Sequence, residues 1–130
     1  MDKDYVVAVD LGGTKIYTAL VDLEGNIIKE KIVSTEANKG DIAIVSNIKK
    51  TIDYVLEDID REKVGAIGIG SPGPLDVKRG LIVAPPNLPF NNYNIVEELT
   101  TTYNLPTFLD NDANAATLAE YMFGVGKGTE

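Results

Sequence analysis

Three observations predict a mixed α/β domain with the element order βββαβαβα. The first third of the chain carries three strand-like runs joined by short turns. Helical periodicity then alternates with further strand-like runs. One of those runs, Val64-Gly65-Ala66-Ile67-Gly68-Ile69-Gly70, is apolar from end to end, as in a central strand covered on both faces.

The opening stretch organises the rest. Tyr5-Val6-Val7-Ala8-Val9 runs into Asp10, a Gly12-Gly13 pair and a second apolar run, Ile16 to Val21. Two strand-like runs around Gly-Gly predict a tight hairpin, with the glycines at the positive φ that such turns need. Asp10 ends the first strand, and Thr14 and Lys15 begin the second, so carboxylate, hydroxyl and ammonium meet at one turn. Glycines there leave backbone N–H groups open to an anion, and a carboxylate beside the anion suits Mg²⁺, held directly or through water. A hairpin with a polar tip is the plainer alternative. The third strand spans Ile27 to Val33 after the turn Leu23-Glu24-Gly25-Asn26, which makes an antiparallel meander.

Asn38-Lys39-Gly40 breaks the pattern, and Asp41 is the expected cap of a helix. Its apolar positions are Val45, Ile48, Ile52, Val55, Leu56 and Ile59, with Lys49, Lys50, Asp53 and Glu57 outside. The strand at Val64 follows, and a strand–helix–strand unit predicts a right-handed parallel crossover. Residues 71–94, rich in Pro, Gly and Asn, are too long for a mere connector, and a small hairpin is expected around Lys78-Arg79-Gly80. Asn94 caps a second helix with Glu97 as its capping-box partner, and Val96, Leu99 and Tyr103 face inwards. Thr107-Phe108-Leu109-Asp110 is the fifth strand. Asn111-Asp112 opens a third helix that stops at Gly124, and Gly124-Val125-Gly126-Lys127-Gly128 reads as a hinge. The expected sheet order is 3-2-1-4-5, with strands 1, 4 and 5 parallel and helices on both faces. Ligands of such sheets lie beyond the carboxyl ends of the parallel strands. Here those ends are Asp10-Leu11-Gly12-Gly13, Gly70-Ser71-Pro72-Gly73 and Asp110-Asn111-Asp112.

Composition narrows the function. At 130 residues, with 44% hydrophobic and 25% charged residues, the chain is one ordinary globular domain. A net charge of −8 argues against a nucleic-acid partner. The absence of Cys and His excludes disulfides, thiolate nucleophiles, imidazole acid–base work and a typical Zn²⁺ site within this chain. The first residues do not read as a signal peptide and no run approaches membrane-spanning length, so a cytoplasmic location without membrane contact is expected.

Two motifs need weighing. Gly68-Ile69-Gly70-Ser71-Pro72-Gly73 fits the dinucleotide pattern G-x-G-x-x-G, but Pro72, Pro74 and Gly80 leave no room for the helix that pattern must open. A rigid loop against a ligand, or a plain Pro-Gly turn, remains. Asn111-Asp112 serves either as a helix cap or as an amide that binds a hydroxyl beside a carboxylate general base. Asn87, in Pro86-Asn87-Leu88-Pro89, is a further hydroxyl partner or a turn residue.

Taken together, Asp10-Leu11-Gly12-Gly13-Thr14-Lys15, Gly68-Ile69-Gly70-Ser71-Pro72-Gly73-Pro74, Asn87-Leu88-Pro89 and Asn111-Asp112-Ala113-Asn114-Ala115-Ala116 resemble the motifs of the ROK family in order and spacing. That family holds sugar kinases, glucokinases prominent among them, and sugar-responsive repressors. The resemblance implies the actin-like, ribonuclease-H-like kinase fold. It implies that Asp10, Gly12, Gly13, Thr14 and Lys15 contact ATP phosphates and Mg²⁺, with Asp10 the metal-side carboxylate. It implies that Gly73, Asn87, Asn111 and Asp112 bind a hexose, with Asp112 the general base. Kinases for fructose, N-acetylglucosamine or N-acetylmannosamine, and the sensor domain of a repressor, are the alternatives. Phe90 stands where the family usually continues Gly-Trp, and Asp110 where it commonly has Glu. The family's second half, with the rest of the nucleotide site and a Cys/His zinc motif, has no counterpart here. The expectation is an N-terminal lobe over residues 1–123, with residues 124–130 starting the hinge to a C-terminal lobe. The two-lobed protein is expected to be a homo-oligomer.

Overall fold

The computed structural model of the chain describes residues 3–111. Five strands form the main sheet: β1 (Tyr5–Leu11), β2 (Lys15–Asp22), β3 (Ile27–Ser34), β4 (Val64–Gly70) and β8 (Thr107–Asp110). Their order is β3-β2-β1-β4-β8, so the expected 3-2-1-4-5 arrangement is the observed one. The meander β1–β2–β3 pairs antiparallel, whereas β4 pairs parallel with both β1 and β8. The apolar β4 is therefore central, with a strand on each side, as its composition predicted.

The first helix, α1, spans Asp41–Val55, and the second, α2, spans Ile95–Tyr103. Both pack on one face of the sheet. Ile44, Ile48 and Ile52 of α1 and Ile95, Leu99 and Tyr103 of α2 share a core with Val7, Val9, Leu11, Ile16, Leu20, Ile67, Ile69 and Leu109. Each fully buried side chain of this size contributes about 1.5–3 kcal/mol relative to exposure. A buried hydroxyl pair, Thr18 Oγ1 and Thr51 Oγ1 at 2.7 Å, seats α1 over β2, and Thr51 donates on to the Ile48 carbonyl. Tyr103 ties α2 to α1 by donating to Asp53 Oδ1 at 2.9 Å, and burial pushes its phenol pKa up. Lys49 and Glu98 pair at 2.5 Å across the same seam. The opposite face carries a second cluster of small residues: Val6, Ala8, Ala19, Val21 and Ala66. The helix expected from Asn111-Asp112 onward, its stop at Gly124 and the hinge lie outside the described residues.

Residues 71–94 form a small antiparallel sheet of β5 (Leu75–Asp76), β6 (Leu81–Ile82) and β7 (Tyr93–Asn94). The hairpin expected around Lys78-Arg79-Gly80 joins β5 to β6, with Gly80 at φ 74°. The third strand, β7, leads directly into α2. No helix follows Gly73, which disposes of the dinucleotide pattern. Among the described residues no helix is long and apolar enough to cross a membrane.

Two helix boundaries differ from expectation. Gly40 precedes α1 as its cap residue, and Asp41 is the first helical residue. The Asp41 carboxylate accepts only from the adjacent Ile42 N–H, so it does not cap. The helix also ends at Val55, although Leu56 and Ile59 continue its apolar spacing. Both still pack on the core from the turn that follows. At α2 the expectation holds: Asn94 Oδ1 accepts the Glu97 N–H at 2.9 Å. Substituting Asn94→Ala should therefore cost about 1 kcal/mol of stability in urea denaturation. Asp41→Ala should cost about half that or less, since only its charge near the helix start is lost. Equal losses would contradict this assignment of caps.

Candidate active site

The parallel register brings the three polar strand ends into one row. Asp10 of β1 pairs with Gly70 of β4, and Gly70 pairs with Asp110 of β8. Alternation along β1 sends Val7, Val9 and Leu11 into the helix-side core, so Asp10 belongs to the opposite face together with Val6 and Ala8. In-register residues of parallel strands share a face. Asp10 and Asp110 thus stand on the same face, separated by a glycine that fills none of the space between them. Both are exposed.

The turn between β1 and β2 is built differently from the expectation. Its residues are Gly12, Gly13 and Thr14, and neither glycine has a positive φ. Close approach, not backbone sign, explains Gly12, while Gly13 marks where a distant loop meets the turn. Gly12 donates its N–H to the Lys15 carbonyl at 2.9 Å, and a Cβ on Gly12 would lie 3.1 Å from that same oxygen. A Cβ on Gly13 would lie 3.4 Å from Asn87 Cβ, so the Pro86-Asn87-Leu88-Pro89 segment passes directly over the turn. That segment is held by its neighbours, since Leu88 and Phe90 are both buried in the core and the Phe90 ring packs tilted at 49° against Tyr93, with ring centroids 5.3 Å apart. Phe90 is an anchor of the loop that carries Asn87. Gly13, Thr14, Lys15 and Asn87 are exposed, with polar groups available to a ligand.

A second pair forms nearby in the chain's topology. A Cβ on Gly73 would lie 3.1 Å from Asn111 Nδ2, so the loop after β4 meets the residue that follows β8. Ser71, buried beneath it, donates its N–H to the Asp110 carbonyl at 3.0 Å. Asp110 also accepts the Asn111 N–H at 2.6 Å, which fixes the chain as it leaves β8. Asp112, the expected general base, lies outside the described residues.

Two residues that the sequence reading passed over hold the turn from behind. Thr35, fully buried just after β3, donates its N–H to the Thr14 carbonyl and its hydroxyl to the Gly12 carbonyl, each at 2.8 Å. Asn47, buried on α1, donates to the Thr35 carbonyl at 3.2 Å and to Glu36 Oε1 at 3.0 Å. The Lys39 ammonium and the Asn47 amide hold the Glu36 carboxyl below its ordinary pKa. The available signal was Asn47 itself, a polar residue inside the apolar stripe of Ile44, Val45 and Ile48. On the other flank, Tyr17 pairs with Asp10 in register and donates to Glu30 Oε1 at 2.5 Å. Burial and the Glu30 carboxylate push its phenol up to about 12, so it stays protonated at neutral pH.

This arrangement suits an oxyanion and a polyol side by side. The turn offers backbone N–H groups and the Lys15 ammonium, while Asn87 and Asn111 offer amides that both donate and accept. Asp10 is an oxygen donor of the hard kind that Mg²⁺ takes, and Mg²⁺ commonly uses one or two carboxylates, with phosphate and water completing the shell. The residues present fit that ion.

The sequence profile of the ROK family matches residues 6–130. Glucokinase of Thermotoga maritima is 38% identical over 129 residues, covering 98% of this chain and 40% of that protein. Glucokinase of Halalkalibacterium halodurans is 32% identical over 132 residues, covering 100% of this chain and 40% of that protein. The crystal structure of a ROK family glucokinase from Streptomyces griseus, in complex with glucose and AMPPNP, matches with a TM-score of 0.77 at 35% identity. That match covers 95% of this chain and 38% of the other. The chain spans about 40% of the length of the curated relatives it matches. Its fold is that of the ROK sugar kinases, the actin-like ATPase fold. With the family profile covering all but the first five residues, this chain belongs to the ROK family.

Proposed function

We propose that the chain is the N-terminal lobe, over residues 1–123, of a cytoplasmic ATP-dependent hexose kinase, and that glucose is its sugar. The observation that carries this reading is the seating of Asn87 over Gly13, which joins an anion-binding turn to a hydroxyl-binding loop. The names of the relatives support glucose as the hexose. Residues 124–130 lead into the hinge to a C-terminal lobe that completes the nucleotide site and holds any structural zinc. Two lobes closing on the substrates exclude water and complete the constellation. The two-lobed protein acts as a homo-oligomer.

In this reading the Gly12–Thr14 turn and Lys15 hold the terminal phosphates of ATP, and Asp10 faces Mg²⁺ directly or through water. When bound, the ion would neutralise phosphate charge. Gly73 brings its loop against Asn111, and Asn87 and Asn111 orient the sugar by hydrogen bonds to its hydroxyls. Asp112 accepts the proton of the attacking hydroxyl as its oxygen bonds to the γ-phosphorus and the bond to the ADP oxygen breaks. The leaving charge departs with ADP. Phosphoryl transfer of this kind is mainly a matter of positioning and charge stabilisation. The isolated 130-residue chain, with half a nucleotide site, does not turn over ATP.

Two substitutions in the two-lobed kinase test these roles. Gly13→Ala fits the 3.4 Å space beneath Asn87 and should change little. Gly13→Val covers the turn's N–H groups and presses on Asn87, so the KM for ATP should rise roughly tenfold, the worth of one or two hydrogen bonds. An unchanged KM for ATP in a folded Gly13→Val variant would return the turn to a polar hairpin tip.

Asp112→Asn separates base from cap. Asparagine keeps the size and the capping ability, so the melting temperature should hold. Loss of the proton acceptor should lower kcat by about 10²–10⁴-fold while sugar still binds. Single-turnover phosphorylation measured beside thermal melting decides the matter. A destabilised variant with an intact rate per folded molecule would make Asp112 a cap and refute the mechanism.

A further inference from the structure

We propose that Thr35 is a positioning residue for the anion-binding turn, clamped in turn by Asn47 of α1. The proposal rests on the reading of that turn as a phosphate site, and it identifies what makes the site pre-formed. Thr35 spends both of its donors on the turn, one on each carbonyl flanking Gly13: Gly12 O and Thr14 O, both at 2.8 Å. The Gly12–Gly13 and Thr14–Lys15 peptide bonds are trans, the Gly73–Pro74 bond being the cis one among the described residues. In a planar trans peptide the carbonyl and the following N–H point in opposite directions. Pinning the two carbonyls on Thr35 therefore turns the Gly13 and Lys15 N–H groups away from Thr35, in a turn where Gly13, Thr14 and Lys15 are exposed.

Without this hold, a turn containing two glycines samples other peptide orientations at little cost. An anion would then have to order the turn as it bound, and affinity would fall by that cost. Thr35 itself is held by Asn47, whose amide donates to its carbonyl at 3.2 Å and to the following Glu36 carboxylate at 3.0 Å. Glu36 sits in the left-handed region at φ 58°, where the chain turns away from β3, and Lys39 pairs with it at 2.9 Å. The helix α1 thereby reaches the phosphate turn through one buried threonine, although none of its residues is in the site. The hydroxyl of Thr35 has a chemical task that a valine of the same shape does not perform.

The test is steady-state kinetics of Thr35→Val and Thr35→Ser in the two-lobed kinase, with thermal melting alongside. Thr35→Val should raise the KM for ATP roughly three- to tenfold, the worth of one hydrogen bond, and leave the KM for the hexose unchanged. Thr35→Ser, which keeps the hydroxyl, should restore the wild-type KM for ATP. A Thr35→Val variant that loses only melting temperature, or that raises both KM values alike, overturns the proposal. If Thr35→Val does not fold, Asn47→Ala takes its place: a smaller rise in the KM for ATP alone supports the clamp, and no rise overturns it. If the wild-type protein phosphorylates no hexose, the kinase reading fails separately. The positioning claim is then decided by amide chemical shifts of Gly13 and Lys15 under titration with sodium tripolyphosphate. Shifts present in wild type and absent in Thr35→Val support it; no response in wild type, or equal responses, overturn it.

Discussion

The parallel pairing of β4 with both β1 and β8 is the constraint on which the rest of this structure depends. It sets Asp10, Gly70 and Asp110 side by side, so that three loops far apart in sequence leave the sheet at one edge. A shift of one residue in either pairing would send each side chain of the slipped strand to the other face. The core guards against that slip. Val7 and Val9 of β1 and Ile67 and Ile69 of β4 are all fully buried on the helix side, and Leu109 of β8 is nearly so. The same burial that stabilises the sheet therefore fixes the phase of the polar ends.

An acidic chain of net charge −8 needs a local device to accept an anion. In the proposed function the device is backbone: a turn with the Gly12 and Thr14 carbonyls occupied by Thr35 and with side chains that, at two of three positions, are hydrogen atoms. Lys15 adds a cation at the edge of that turn. The contribution of the wider fold is rigidity, delivered by Thr35 from the end of β3, Asn47 from α1, and Leu88 and Phe90 beneath the Asn87 loop. None of these need touch a ligand to matter. Preorganised donors are worth more than donors that must be ordered on binding.

Much of this was legible in the sequence, and the parts that were not share a cause. The main-sheet strands announce themselves through β-branched apolar runs, and the Asn94 cap through its spacing to Glu97. Local signals report local structure. The end of α1 was misread because Leu56 and Ile59 keep the helical spacing while packing on the core from a turn. The glycines at 12 and 13 were expected at positive φ, and neither has it. A positive φ is a local property, whereas their neighbours, Lys15 O across the hairpin and Asn87 Cβ in a distant loop, are set by tertiary structure. Thr35 was invisible for the same reason: its hydroxyl bond spans 23 residues, and nothing in Val33-Ser34-Thr35-Glu36 marks it out.

The central claim is that one edge of one sheet holds the reacting phosphate and the accepting hydroxyl together. The direct measurement is a crystal structure of the two-lobed protein with AMPPNP, Mg²⁺ and glucose. The account predicts the terminal phosphates against the Gly13 and Lys15 N–H groups and Asn87 and Asn111 on the sugar. It predicts an Asp112 carboxylate oxygen within about 2.6–3.2 Å of the hydroxyl that faces the γ-phosphorus. A nucleotide phosphate seated away from the Gly12–Thr14 turn, or an Asp112 turned back to cap its own helix with glucose bound, would contradict it.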